Sequence, residues 1–208
     1  MKHLKKPAAA IAAAILTVSL TACGEGEASG VAQAKQTASN GDVYNDTDVD
    51  FATGMIPHHA QALAMVDMTR GRELSPEVRE LTEEVRSAQG PEIEQMVDWL
   101  TAWNKPVPET MRDHANAEDH GMSGHDMGED KDIPGMMSDN EMDELESMKG
   151  RSFEAMWLEM MIEHHEGAVE MAKDERDDGV FRPARQLAAS IETSQQAEID
   201  QMKSLLDR

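Results

Sequence analysis

The feature that most restricts this chain is that its folded part is written twice. Residues 51–100 lie over residues 157–206 at a constant offset of 106, without a gap. Met55-Ile56-Pro57-His58-His59 falls over Met161-Ile162-Glu163-His164-His165, Ala62 over Ala168 and Met65 over Met171. Further along, Leu81 falls over Leu187, Val85 over Ile191 and Gln89 over Gln195. At the end, Glu92-Ile93-Glu94-Gln95-Met96 falls over Glu198-Ile199-Asp200-Gln201-Met202. A register held over fifty residues is an internal duplication. Each copy must bury its apolar stripe against something, and the other copy is the available surface.

Each copy reads as two helices. In the first, helix one is expected from about Asp48 to Arg70, ending at Gly71. Helix two starts at Ser75-Pro76-Glu77, which supplies an N-cap, a first-turn proline and an acidic first turn. Val78, Leu81, Val85, Ala88, Met96, Leu100 and Trp103 keep a helical period through it. Gly90-Pro91 would normally end a helix. The second copy has Gln196-Ala197 there in an unbroken pattern, so the pair is read as a kink. By the same comparison Pro57 faces Glu163, and it is expected to bend or open helix one beside the histidines.

In the second copy one helix is expected from Ser138-Asp139 through Met142, Leu145, Met148, Phe153, Trp157 and Met161 to about Asp177. The last starts near Arg182-Pro183. Short loops inside each pair make two antiparallel hairpins, residues 46–103 and 138–208, joined by a long crossover, residues 104–137. The expected fold is all-α, a ferritin-like four-helix bundle.

Composition agrees. Aromatic residues are 3% of the chain, too few for a typical β-sandwich or barrel. The 17 methionines outnumber all aromatic residues, so the core is aliphatic and thioether-rich. With 41 Asp+Glu against 19 Lys+Arg, the formal charge of −22 disfavours nucleic acid and favours cations. A single cysteine excludes an intrachain disulfide and any multi-cysteine metal site.

The amino terminus reads as an address. Lys2, Lys5 and Lys6 precede an apolar run, Ala8 to Leu20, too short to span a bilayer. Leu20-Thr21-Ala22-Cys23 looks like a bacterial lipobox. Residues 1–22 are then a lipoprotein signal peptide, Cys23 the lipidated residue, and residues 23–45 a flexible tether. The protein is expected outside the cytoplasm, held to the membrane by lipid alone. An ordinary signal peptide with a chance cysteine is the plainer alternative.

The repeated Met-x-x-His-His motif carries the chemistry. Residues on a helix advance about 100° each. Met55, His58, His59, Ala62 and Met65 therefore share a stripe roughly 120° wide. Met161, His164, His165, Ala168 and Met171 do the same. The stripe coincides with the apolar one, so at least one histidine per pair faces the bundle interior. Neighbouring histidines point about 100° apart and do not both reach one central ion unaided. Imidazole with thioether suits soft or borderline ions. Cu(I) comes first, Cu(II) is also accepted, and zinc or another borderline metal is the weaker expectation.

Di-iron carboxylate chemistry needs Glu-x-x-His, and Met or Ile stands at each position where that Glu would be. The bland alternative is methionine as core filler and histidine as hydrogen-bonded structure. In the crossover, His114, His120, Met122, His125 and Met127 offer similar donors among glycine and charge. They read as a weak, flexible metal site or as a solvated linker.

These motifs resemble the family catalogued as domain of unknown function 305, and within it the copper-handling periplasmic members, CopM-type copper-resistance proteins. The resemblance rests on Met55-Ile-Pro-His58-His59-x-x-Ala62, on Met161-Ile-x-His164-His165-Glu-Gly-Ala168-x-x-Met171 and on Pro134-Gly-Met136-Met137-Ser138, and covers about residues 45–208. It implies a ferritin-like bundle and copper binding in the envelope for tolerance, buffering or transfer to a copper-handling partner. The histidine pairs with Met55, Met65, Met161 and Met171 are the implied ligands. Glu166-Gly167 replaces Ala60-Gln61, so the two halves need not be equivalent. No paired carboxylates, nucleophile elbow or phosphate loop points to catalysis, and binding without turnover is expected. A metal- or haem-dependent redox bundle and a purely structural, partner-docking lipoprotein are the competing classes.

Overall fold

The computed structural model describes residues 34–110 and 133–208, and the rest of this section concerns those residues. A short antiparallel ribbon, β1 (Gln36–Thr37) and β2 (Val43–Tyr44), precedes five helices. These are α1 (Asp46–Asp67), α2 (Pro76–Ala102), α3 (Asp139–Ser147), α4 (Gly150–Asp178) and α5 (Arg182–Leu206). The protein is an all-α bundle. α1 pairs with α2, α4 with α5, and the hairpins meet chiefly through α1 against α4.

Local chemistry sets the helix starts. Asn45 and Asp48 form a reciprocal capping box on α1, and Ser138 and Glu141 form one on α3. Ser75 caps α2, with Pro76 in the first turn. α1 runs unbroken through Pro57, and α2 through Pro91, because packing on both sides holds the helices where the ladder loses a donor.

The duplication survives as matched contacts. The Asp48 carboxylate accepts the Phe181 amide at 2.9 Å, capping the far hairpin's second helix. Its counterpart Glu154 accepts the Ser75 amide at 2.7 Å. α1 and α4 run antiparallel in one register, with His58 opposite His164 and the Trp157 indole N–H donating to Met65 O at 3.0 Å. Two apolar clusters result. One gathers Met65, Leu81, Leu145, Phe153, Trp157, Met161 and Met202, the other Tyr44, Phe51, Met55, Trp99, Trp103 and Phe181. Along α1 the histidines come between Ile56, in the second cluster, and Ala62, in the first.

Two expectations are corrected. The single helix expected from Ser138 to Asp177 is two helices, broken at Met148 and Lys149, both extended, with Gly150 at φ +56°. Arg72 explains the break. Its guanidinium donates to Met68 O, Met148 O and Glu146 O and lies 4.0 Å from the centre of the Phe153 ring. It thereby satisfies carbonyls that a continuous helix would have satisfied itself. The flexible tether expected over residues 23–45 does not hold for residues 36–44, which form the ribbon. Tyr44 stacks on Trp103 at 4.5 Å, and the Trp103 indole donates to Asp42. A polar-looking stretch is ordered by an aromatic partner far along the chain. None of the described helices is long and apolar enough to cross a membrane.

Candidate metal centre

All four histidines of the duplicated motif are fully buried. They form a row across the α1–α4 seam. The rings of His58 and His164 lie 3.7 Å apart, His59 is 6.4 Å from His58, and His165 is 6.3 Å from His164. The helical geometry accounts for this. With about 100° between neighbours, one histidine of each pair faces the other hairpin while the second turns toward its own hairpin's partner helix.

The outer histidines meet carboxylates there. His59 Nε2 lies 2.8 Å from Glu92 on α2, and His165 Nε2 lies 2.6 Å from Glu198 on α5. Glu92 and Glu198 are 16% and 13% exposed, so each pair links the buried row to solvent. These glutamates were in the aligned repeat but were not singled out as site residues. The signal was available: an acid kept at the same offset as the histidines.

A third oxygen comes from the backbone. His58 Nε2 donates to Pro134 O at 3.1 Å. A carbonyl only accepts, so Nε2 carries the hydrogen and Nδ1 of the neutral ring holds the lone pair. Burial, and then the charge the other imidazoles would carry, hold His58 well below the usual histidine range. The same two causes act on His164. The inner pair is therefore neutral at pH 7, the form that binds metal.

The Nδ1 atoms of His58, His59 and His165 have no hydrogen-bond partner, and the His164 ring nitrogens have none of good geometry, the His58 backbone being the polar group beside them. Buried polar atoms left in this way cost stability, so they point to a ligand. Gln89 and Gln195, again counterparts, are buried with unpartnered amide atoms on α2 and α5.

The methionines of the motif pack in the apolar clusters. Met55, Met65 and Met161 are fully buried and Met171 is half-buried. Met55 and Met171 pack in one apolar cluster, Met65 and Met161 in the other. Among the described residues, no three His, Cys, Asp or Glu side chains are grouped so that they could hold a metal ion. His114, His120, Met122, His125, Met127 and Cys23 lie outside the described residues.

The domain of unknown function DUF305 matches residues 48–206. The chain belongs to the DUF305 family. A DUF305 protein of Streptomyces coelicolor, inferred to be secreted, superimposes with a TM-score of 0.64 at 32% identity, covering 77% of this chain and 92% of that one. A DUF305 fragment from Deinococcus radiodurans gives 0.63 at 28%, covering 83% and 99%. CopM in its Cu(II)-bound form gives 0.59 at 29%, covering 77% and 95%, and its Cu(I)-bound form 0.59 at 27% with the same coverage. No curated protein matches the chain.

Proposed function

We propose that this DUF305 protein binds copper outside the cytoplasm, for tolerance, buffering or transfer, and does not turn over a substrate. The observation that carries the reading is the buried imidazole row with unpartnered Nδ1 atoms, three of whose members have their Nε2 atoms held by oxygen. Histidine ligands commonly anchor one ring nitrogen on a carboxylate or carbonyl and offer the other to the ion. His58 and His164 supply neutral nitrogen donors at the seam. His59 and His165 add a donor from each side, oriented by Glu92 and Glu198. Met55, Met65, Met161 and Met171 supply the thioethers that bias the set toward Cu(I), with imidazole also serving Cu(II). Copper is the cargo here.

The CopM structures with Cu(I), Cu(II) and silver support the same reading by similarity. A haem between facing ligands is disfavoured, since the inner rings are already 3.7 Å apart. Cys23 as the lipid anchor, residues 1–22 as the export signal and the Met/His loop as a weaker copper site complete the proposal from the sequence. The test is an anaerobic Cu(I) titration against a chromogenic competitor. Wild type should withdraw copper from the competitor. A variant with His58, His59, His164 and His165 all replaced by Ala should not, and equal competition by both proteins would remove the idea.

A further inference from the structure

One side of the histidine row meets backbone rather than a helix. Residues Ile133–Met137 return from the crossover and lie across the α1–α4 seam as a strap. Pro134 O sits on His58 Nε2 at 3.1 Å. Gln61 on α1 holds Met137 by two bonds of 2.8 Å, its amide donating to Met137 O and its oxygen accepting the Met137 N–H. On α4 the strap lies against bare backbone. A Cβ on Gly167 would fall 2.0 Å from Pro134 O, and one on Gly135 would fall 2.6 Å from Glu163 O. Gly135 also takes φ +75°. The strap therefore touches both inner helices within one turn of His58 and His164.

The strap makes the inner pair unequal. It takes one nitrogen of His58 and makes no hydrogen bond to His164. Its hydrogen bonds to α1 are a single histidine bond and the Gln61 pair, and of its five residues Met137 alone, beside the Ser138 cap of α3, is buried in an apolar cluster. We propose that the Ile133–Met137 strap is the gate to the histidine row, that Gln61 is its latch, and that small soft cations reach His164 and His58 when it lifts. The cargo rests on the copper reading above; the gate itself does not.

Losing two ordinary hydrogen bonds raises the open population by roughly thirtyfold. The variants are Gln61→Leu, which removes the latch, and Pro134→Gly, which loosens the strap and leaves every histidine and methionine in place. In metal-free protein, diethylpyrocarbonate modification of His58 and His164 is followed by peptide mass spectrometry, with Tm measured alongside. The gate predicts modification at least about tenfold faster in either folded variant than in wild type. With Cu(I), uptake and chelator-driven release should accelerate together by the same factor, leaving the competition equilibrium within about threefold.

Unchanged modification rates in a variant that folds overturn the gate. So does Cu(I) exchange that stays at the wild-type rate while wild type and variants all bind. If no protein binds Cu(I) yet modification still accelerates, the copper reading falls and the gate stands.

Discussion

Glu175, near the end of α4, offers the sharpest test of how burial sets energetics in this bundle. It is fully buried, and no donor reaches either of its oxygens. Burial, and then the neighbouring Asp48 carboxylate, push it up to about 9 from an ordinary 4.5. Asp48 is fixed by the Asn45, Val180 and Phe181 amides and cannot withdraw. Gly179 lies so close that a Cβ there would fall within 2.5 Å of the Glu175 carboxyl carbon. The folded state thus holds Glu175 protonated at neutral pH. A folded-state pKa above the unfolded one contributes stability that is fully present below about 4.5 and is lost as pH rises toward about 9.

At pH 7 the loss spans about 2.5 units, on the order of 3 kcal/mol at about 1.4 kcal/mol per unit. Glu175→Gln keeps the shape, lets an amide donate to Asp48 and removes the proton dependence. Urea unfolding of both proteins from pH 4 to pH 8 isolates the effect, because the histidine terms are common to both and cancel. The variant should match wild type near pH 4 and gain about 1.4 kcal/mol per pH unit above 5. A difference that stays flat with pH would falsify the assignment of Glu175 as a buried acid.

Three further outcomes are expected. Glu92→Gln and Glu198→Gln should each weaken Cu(I) affinity roughly 10- to 100-fold by the same competition assay, with little change in Tm, because the glutamates orient His59 and His165 and do not support the core. Saturating Cu(I), at about 100 times its dissociation constant, should stabilise the fold by roughly 2.7 kcal/mol and raise Tm by several degrees; an unmoved Tm would argue for a docking or structural role instead. Arg72→Met should cost about 2–3 kcal/mol in chemical denaturation, since the Met68, Glu146 and Met148 carbonyls lose their donor and Phe153 its cation.

The site was half legible. The repeat and the 100° step predicted that at least one histidine of each pair would face inward, and all four are buried, with His58 and His164 meeting across the seam. The step also separated His59 from His58, but it could not name Glu92, because the pairing of α1 with α2 is not written in either helix alone. The thioethers at helical spacing entered the core as expected, yet their division between two clusters follows from the antiparallel register of α1 and α4. The break after Ser147 escaped because Met148 continues the apolar period, while the carbonyls it frees are capped by Arg72 from another hairpin.

By itself the sequence determined a doubled helical hairpin, its caps, its turn positions and the donor types it carries. These depend on neighbours a few residues apart and on a register visible as letters. Only the tertiary structure decided which nitrogen of His58, His59 and His165 meets an oxygen, which oxygen that is, and that residues 133–137 lie against His58 and α4. Those choices depend on distances between segments 33 to 106 residues apart, such as His59 to Glu92 and His58 to His164, which packing brings together and no local pattern encodes.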